Sequence, residues 1–350
     1  MIRLPGLIDI HVHLRDLGQT EKEDFFTGTS AALAGGFTTI LDMPNNKNPV
    51  TTLDLLKEKI REAKKKIVCD IGFYAGTIGN NLEQLSLMEP YVFGLKLYFN
   101  QTTGNFIINK KNLKKIFLFW KSNKPILVHA EEDVLPDVLK VVEETGKRLH
   151  VCHVSNQTQL SLIIKAKEKK LAVTCGVTPH HLFLTENDIK SLKSFGLMKP
   201  SLGSKIDQNF LWKNLEYVDV IESDHAPHTI SEKKSDHPPF GVPGLETTLP
   251  LLLTVVSKKK LTIKRLVELC FENPKKIFNI GTDKNTFIEI DEKEEYIIDN
   301  KNLKTKCGWS PFNGWRVEGK VKKVYIRGKK VLENGRLLVK PGSGKIIKPL

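Results

Sequence analysis

Residues 7–13 read LIDIHVH, an apolar run with two histidines spaced by one residue near its end. Side chains on a strand alternate with period two, so His11 and His13 face the same side and can reach one metal ion. Two core histidines would give the same pattern, so the pair decides nothing alone. The recurrence of such runs decides the fold. Further short apolar, β-rich stretches follow at Phe37–Met43, Ile67–Tyr74, Val92–Leu97, Pro125–His129, Leu149–His153, Leu171–Cys175 and Tyr217–Ser223. Charged stretches of helical periodicity separate them, among them Leu53–Lys65, Leu113–Lys121, Glu132–Glu144 and Gln157–Lys169. Eight strands alternating with helices predict a parallel sheet closed into a (β/α)8 TIM-type barrel. An open doubly wound sheet would usually carry a Gly-rich phosphate turn, and no G-x-G-x-x-G follows any of these strands.

Beyond the eighth run the pattern predicts a loop at Thr229–Leu245, an apolar helix to about Val256 and another helix from Thr262 to about Phe278. The character then changes. Thr286–Ile298 and Gly319–Val339 read as alternating strands, with a turn at Glu333-Asn334-Gly335. The expected division is a barrel at 5–285 and a small β appendage at 286–350, joined by residues 1–4.

Composition narrows the function. The 350 residues include 54 Lys+Arg and 40 Asp+Glu, a net charge of +14, with 40% hydrophobic and 27% charged. That is a core-forming chain, which excludes global disorder. With 24 Gly and 5 Cys, collagen-like and disulfide-scaffold classes are excluded too. The lysine clusters at 64–66, 169–170 and 258–260 are scattered and lack interleaved aromatics, so nucleic acid is not an expected partner. The cysteines are odd in number and form no C-x-x-C pair, as in a reducing compartment. Asp9, His11 and His13 interrupt the N-terminal apolar run, so no signal peptide is read there. The apolar stretch Leu249–Val256 is too short to span a bilayer. A cytoplasmic protein with no membrane partner is expected.

The chemistry lies at the ends of the strands. Lys96 ends the fourth in GLKLYF, His129 the fifth in LVHAE and His153 the sixth in CHV, while the eighth runs into Asp224 in SDHAPH. Barrel active sites are built at that end. With His11 and His13, four histidines and one aspartate gather there, and imidazole with carboxylate suits catalytic zinc. A plain ammonium at Lys96 would be repelled by divalent cations. As a carbamate, formed by reaction with carbon dioxide, it becomes an anion able to bridge two ions.

The segments PGLIDIHVHLRD, MPNN, GLKLYF, VHAEE, CHVS, VTPHHLFL, SDHAPH and PPFGVPGLET resemble the dihydroorotases of the amidohydrolase superfamily. The likeness is strongest to the dihydroorotase domain of the animal multifunctional pyrimidine-synthesis protein, and it runs from about Arg3 to the C-terminus. The resemblance implies a barrel enzyme that interconverts N-carbamoyl-L-aspartate and L-dihydroorotate. It implies two zinc ions per chain, one held by His11, His13 and Asp224 and the other by His129 and His153, bridged by carbamylated Lys96. Asp224 would shuttle the proton, and Arg15, Asn45 and His228 would contact substrate. Thr102 would fall in a mobile loop over the site. The resemblance also implies a homodimer and association with an aspartate carbamoyltransferase.

Two positions depart from that pattern. Gly176 stands where the animal domain has an acidic residue after the cysteine of its VTC segment, so a third metal is not expected. Lys199 replaces an arginine, keeping charge but losing the fork. His150, His180, His181, His225 and His237 are read as structural or as supports for ligands. The competing readings are an allantoinase or dihydropyrimidinase-like enzyme on the same metals, and a non-catalytic assembly scaffold. Arg15 with Asn45 favours the anionic substrate, because a neutral ring would leave Arg15 buried and unpaired.

Overall fold

The computed structural model describes residues 1–100 and 106–350. Its strands in chain order are β1 (Ile2–Pro5), β2 (Leu7–Val12), β3 (Phe37–Asp42), β4 (Asp70–Phe73), β5 (Ala75–Gly76), β6 (Leu95–Tyr98) and β7 (Ile126–His129). They continue with β8 (Leu149–Val151), β9 (Val173–Val177), β10 (Val220–Ile221), β11 (Phe287–Ile297), β12 (Arg316–Ile326), β13 (Lys329–Glu333) and β14 (Arg336–Leu337). Strands β2, β3 and β4 pair in parallel, and β5 to β10 form a second parallel run in sequence order.

These two runs are one barrel. β4 and β5 are halves of a single strand broken at Tyr74, whose hydroxyl donates to Ile10 O at 2.9 Å. The other seam is closed by a parallel bridge between Val12 and His225, with His13 N donating to His225 O at 2.8 Å. Across the same seam the Asp9 carboxylate accepts from Ser223 N at 3.2 Å. Burial pushes the Asp9 carboxyl up to about 7, so this tie is made at an energetic cost. Eight strand positions therefore close a (β/α)8 barrel.

The interior is filled rather than open. Ile8, Ile10, Leu41, Phe93, Leu127, Cys152 and Val220 pack together with Phe278. The Phe278 ring meets Tyr74 edge-on at 6.0 Å and His150 at 5.6 Å. The enclosing helices carry the capping their sequences offer. Thr52 Oγ1 accepts from Leu55 N to start Leu53–Lys66, which ends in three lysines favourable to the helix dipole. Leu135–Thr145 ends at Gly146, at φ 65°, where a residue lacking Cβ fits without strain.

Several boundaries differ from the sequence reading. The eighth strand shrinks to Val220–Ile221 because Leu215–Tyr217 coils into a 3-10 turn. The seventh shifts forward to Val173–Val177. The helix expected over 262–278 is interrupted by a π-turn at Glu268–Glu272. Pro274 follows immediately and has no N–H to donate back along a regular helix.

The appendage is an antiparallel sheet in the order β1-β11-β12-β13-β14. Asn334 and Gly335, at φ 48° and 74°, make the predicted turn. Arg327 and Gly328, at φ 51° and 76°, make a second one hidden inside the expected run 319–339. Both have the paired positive φ of type I′ hairpins. The chain then leaves the sheet and returns to the barrel, where Ile71 N donates to Lys345 O and Ile347 N to Ile71 O. No helix among the described residues is long and apolar enough to cross a membrane.

Candidate metal centre

The expected ligands converge at the C-terminal mouth of the barrel. His11 Nε2 lies 3.3 Å and His13 Nε2 3.1 Å from the same oxygen, Asp224 Oδ1. The far side of each ring is already engaged. His13 Nδ1 donates to Asn45 Oδ1 at 2.7 Å, and His11 Nδ1 to Glu222 Oε2 at 3.3 Å. Burial drives the imidazole of His13 down to about 3, so this ring is neutral at neutral pH and carries one proton. With that proton toward Asn45, the ring can offer Nε2 to a metal. His11 lies between two carboxylates, with Nδ1 toward Glu222 and Nε2 toward Asp224. Two imidazole nitrogens and a carboxylate oxygen converging in one buried space form a donor set that suits a cation.

A second cluster adjoins the first. His129 Nδ1 and His153 Nε2 stand 3.0 Å apart, and the rings of His11 and His153 have centroids 5.1 Å apart. Burial lowers the pKa of both His129 and His153, which are thereby held in the neutral form that ligates metal. His129 Nε2 faces Glu131 Oε1 at 3.6 Å, and His153 Nδ1 has no hydrogen-bond partner among the described residues. Lys96 is fully buried, with Nζ 3.0 Å from Cys152 Sγ and 4.9 Å from the centre of the Tyr98 ring. No carboxylate forms an ion pair with it among the described residues.

Backbone conformation aims several of these groups. Arg15, His153 and Asp224 have φ of 61°, 38° and 44°, a left-handed region that side chains bearing a Cβ seldom adopt. Asp224 is buried, which alone would raise its carboxyl. The adjacent His11 and His13 outweigh this and hold it well below the usual carboxylate range.

The cleft above both clusters is small, about 40 Å³, and is lined in part by Arg15, Asn45, Tyr98, Lys199, Phe240 and Gly241. Arg15 is 4% exposed, its Nε donating to Pro227 O at 3.2 Å. A surface ion pair with Asp16 or Glu23 is not what occupies it. Asp16 pairs with Lys66 at 2.7 Å, and Glu23 meets His225, Thr305 and the Lys306 amide. Lys199 is half-buried in the wall, its Nζ 5.4 Å from the Phe240 ring centre.

His228 departs from its expected place. It is fully buried and does not line the cleft. It stands behind Arg15, with Nε2 3.2 Å from Arg15 Nη2 and 3.0 Å from Phe240 O. One nitrogen cannot both accept from Arg15 and donate to Phe240, so His228 is in contact with the guanidinium and hydrogen-bonded to one of the two. The carbonyl of His228 in turn accepts from Trp309 Nε1 at 2.7 Å, which ties Arg15 to the C-terminal part of the chain. Thr102 lies outside the described residues.

The sequence reading missed two residues. Tyr98 lines the cleft, buried, with a hydroxyl that has no partner among the described residues. Its signal was available, since it follows Lys96 by two on one strand and so faces the same side. Glu222 is fully buried against His11 and His150, and nothing in its local sequence marked it. His181 is structural, with Nδ1 2.8 Å from Thr178 Oγ1 and Nε2 3.0 Å from Pro200 O. His225 ties the seam to Gly244, and His237 is exposed.

Comparison with known proteins gives consistent matches. The amidohydrolase family model covers residues 2–331. The multifunctional protein CAD of Squalus acanthias is 43% identical over 352 residues, 99% of this chain and 16% of that protein. The chain thus spans a small fraction of that multifunctional relative. The dihydroorotase of Pyrococcus furiosus is 36% identical over 370 residues, covering 99% of this chain and 85% of that one. Among solved structures, an L-hydantoinase (dihydropyrimidinase) from Arthrobacter aurescens has a TM-score of 0.93 at 27% identity, over 99% of this chain and 89% of that one. An inactive dihydroorotase-like domain of a Chaetomium thermophilum CAD-like multifunctional protein has a TM-score of 0.85 at 27% identity, over 99% of both.

Proposed function

This chain belongs to the amidohydrolase family, among its dihydroorotases, and from that premise we propose that it interconverts N-carbamoyl-L-aspartate and L-dihydroorotate. The observation that carries the proposal is the convergence of His11 Nε2 and His13 Nε2 on one Asp224 oxygen, at 3.3 and 3.1 Å, beside His129, His153 and a buried Lys96. His11, His13 and Asp224 would hold one zinc and His129 with His153 the other, with Lys96 as its carbamate shared between them. When bound, the metals supply an activated water at neutral pH and polarise the ring amide carbonyl.

The chain's own groups do the rest. Asp224, ionised in this setting, takes the proton of the attacking water and delivers it to the ring nitrogen that leaves. Arg15 offers its guanidinium fork to the free carboxylate of the substrate, and Lys199 adds a second positive charge to the same wall. Asn45 keeps His13 in the tautomer that presents Nε2 and reaches the cleft with its amide. Tyr98 brings a hydroxyl without a partner among the described residues to the same space.

The likeness to hydantoinases keeps one other reading in view, a neutral cyclic amide. Arg15 argues against it, because its charge is buried with no carboxylate beside it among the described residues. The likeness to an inactive domain raises the scaffold reading, which retention of every expected ligand opposes. A homodimer and association with an aspartate carbamoyltransferase belong to the same proposal, the latter supported by the multifunctional relatives. So does the division into a catalytic barrel at 5–285 and an appendage at 286–350 with 1–4, in a cytoplasmic enzyme.

The test is hydrolysis of L-dihydroorotate by zinc-supplied protein, run beside dihydrouracil and allantoin, with bound metal counted. Turnover of dihydroorotate alone, with about two zinc per chain, supports the proposal. Turnover of a neutral ring instead would overturn the substrate assignment, and protein with neither metal nor turnover would return the scaffold reading.

A further inference from the structure

Glu222 follows directly on β10, and its carboxylate is 0% exposed. No lysine or arginine pairs with it among the described residues. Its partners are two ring nitrogens and a backbone N–H of the site. Oε2 is 3.3 Å from His11 Nδ1 and 3.7 Å from His150 Nε2, while Oε1 accepts from the backbone N–H of His153. Burying a carboxylate is costly unless hydrogen bonds satisfy it, and here both oxygens are engaged. A single side chain grips His11 from the first cluster and the backbone of His153 from the second.

The space this carboxylate fills belongs to another position. A Cβ built on Gly176 of the neighbouring strand β9 would lie 2.4 Å from Glu222 Oε1 and 2.6 Å from its Cδ. Glu222 can enter only because position 176 is glycine and lacks a Cβ. The two positions compete for one buried space.

We propose that Glu222 is a positioning residue that sets both ligand clusters in register, from a space that a side chain on position 176 would otherwise enter. It fixes the proton of His11 on Nδ1, so that Nε2 faces Asp224. It also holds the strained left-handed backbone at His153, whose φ is 38°. The inference rests on the metal-site reading above and concerns how that site is held. Outer partners of ligating histidines commonly govern metal affinity by 10–100-fold.

The experiment compares three purified proteins, E222A, E222Q and the double variant G176E/E222A, with the wild type. Metal content is measured after zinc loading, and release to a chelator is timed. Circular dichroism and melting of the metal-free proteins serve as the check on folding. E222A should release zinc at least about tenfold faster than wild type. E222Q should fall between the two. Its single acyl oxygen can accept from His11 or from the His153 amide but not from both, and its NH₂ opposes the other donor. The double variant should recover most of the retention, which a merely space-filling role for Glu222 would not predict.

Wild-type retention in both E222A and E222Q would overturn the inference. So would a folded double variant that releases zinc as fast as E222A. His11, Cys152 and Glu222 have ligand atoms within 4.8 Å of one another. A third zinc in the wild type that is lost in E222Q would make Glu222 a ligand and refute the positioning role. A wild-type protein that takes up no zinc at all would instead defeat the metal reading itself, a different result from intact metal that ignores residue 222.

Discussion

The Nζ atom of Lys96 lies 3.0 Å from Cys152 Sγ, fully buried and without a carboxylate among the described residues to balance it. An isolated buried ammonium is among the most costly groups a core can hold. Conversion to a carbamate replaces that charge with an anion. Zinc loading should therefore depend on dissolved carbon dioxide. K96R, which keeps the charge but cannot form the carbamate, should lose bound metal and at least about a hundredfold in kcat, as expected when an activated water is lost. Metal analysis with and without added bicarbonate, and carbon-13 NMR after labelling with bicarbonate, would check it. Full loading in carbon dioxide-free buffer would defeat the idea.

Arg15 supplies the test of substrate charge. R15K keeps the charge and loses the planar fork, so kcat/KM for dihydroorotate should fall about 10- to 100-fold, the scale of one or two charge-assisted hydrogen bonds. Most of the loss should appear in KM. R15M should lose more, and turnover of a neutral ring should be almost indifferent to both. Equal losses on charged and neutral substrates would show that Arg15 acts through the structure instead.

Asp224 is both a neighbour of His11 and His13 and the proton carrier. D224N preserves shape and removes the base, so kcat should fall roughly 10²–10⁴-fold, the range of general acid–base catalysis. Its melting temperature without metal should fall, because the fold holds the ionised carboxyl well below its usual range. Single-turnover kinetics would separate the chemical step from binding. A variant with unchanged kcat would rule out this role.

Buried histidines give the metal-free fold a predictable response to acid. Burial lowers His181 to about 4 and His228 to about 3, against an ordinary value of 6.5. Their neutral forms are the folded ones, so the unfolded chain takes up more protons below pH 6.5. The stability they secure is whole above pH 6.5 and drains away as pH falls toward 4 and 3. Each contributes a slope of about 1.4 kcal/mol per pH unit within its window. Urea titrations of H181N across pH 4–7 should show a flatter dependence than the wild type; an identical slope would clear His181 of the effect.

Much of the site was legible because a barrel turns strand order into place. His11, His13, Lys96, His129, His153 and Asp224 each sit at or just past the end of an apolar run, and barrel closure alone brings such ends together. The helices were equally readable where a cap or periodicity marked them, as at Leu53–Lys66. The misses arise from contacts that only the closed barrel makes. Glu222 meets His11 across 211 residues of chain, and Gly176 gains its meaning from a carboxylate on the next strand. His228 matches a motif in sequence but faces the back of Arg15 rather than the cleft. The break at Tyr74 follows from a hydroxyl reaching Ile10 on the first barrel strand, which no local pattern records.

The tie from Trp309 through His228 to Arg15 has a consequence for anyone seeking a smaller catalyst. The Thr305 hydroxyl and the Lys306 amide also grip Glu23, which meets the seam residue His225 as well. The far end of the polypeptide therefore acts as a clasp on the mouth where the reaction is proposed to occur. A truncation at the end of the last barrel helix would remove the tail along with the clasp, and the guanidinium would lose the wall behind it. Minimisation would have to begin at loops on the outer face, leaving residues 305–309 in place.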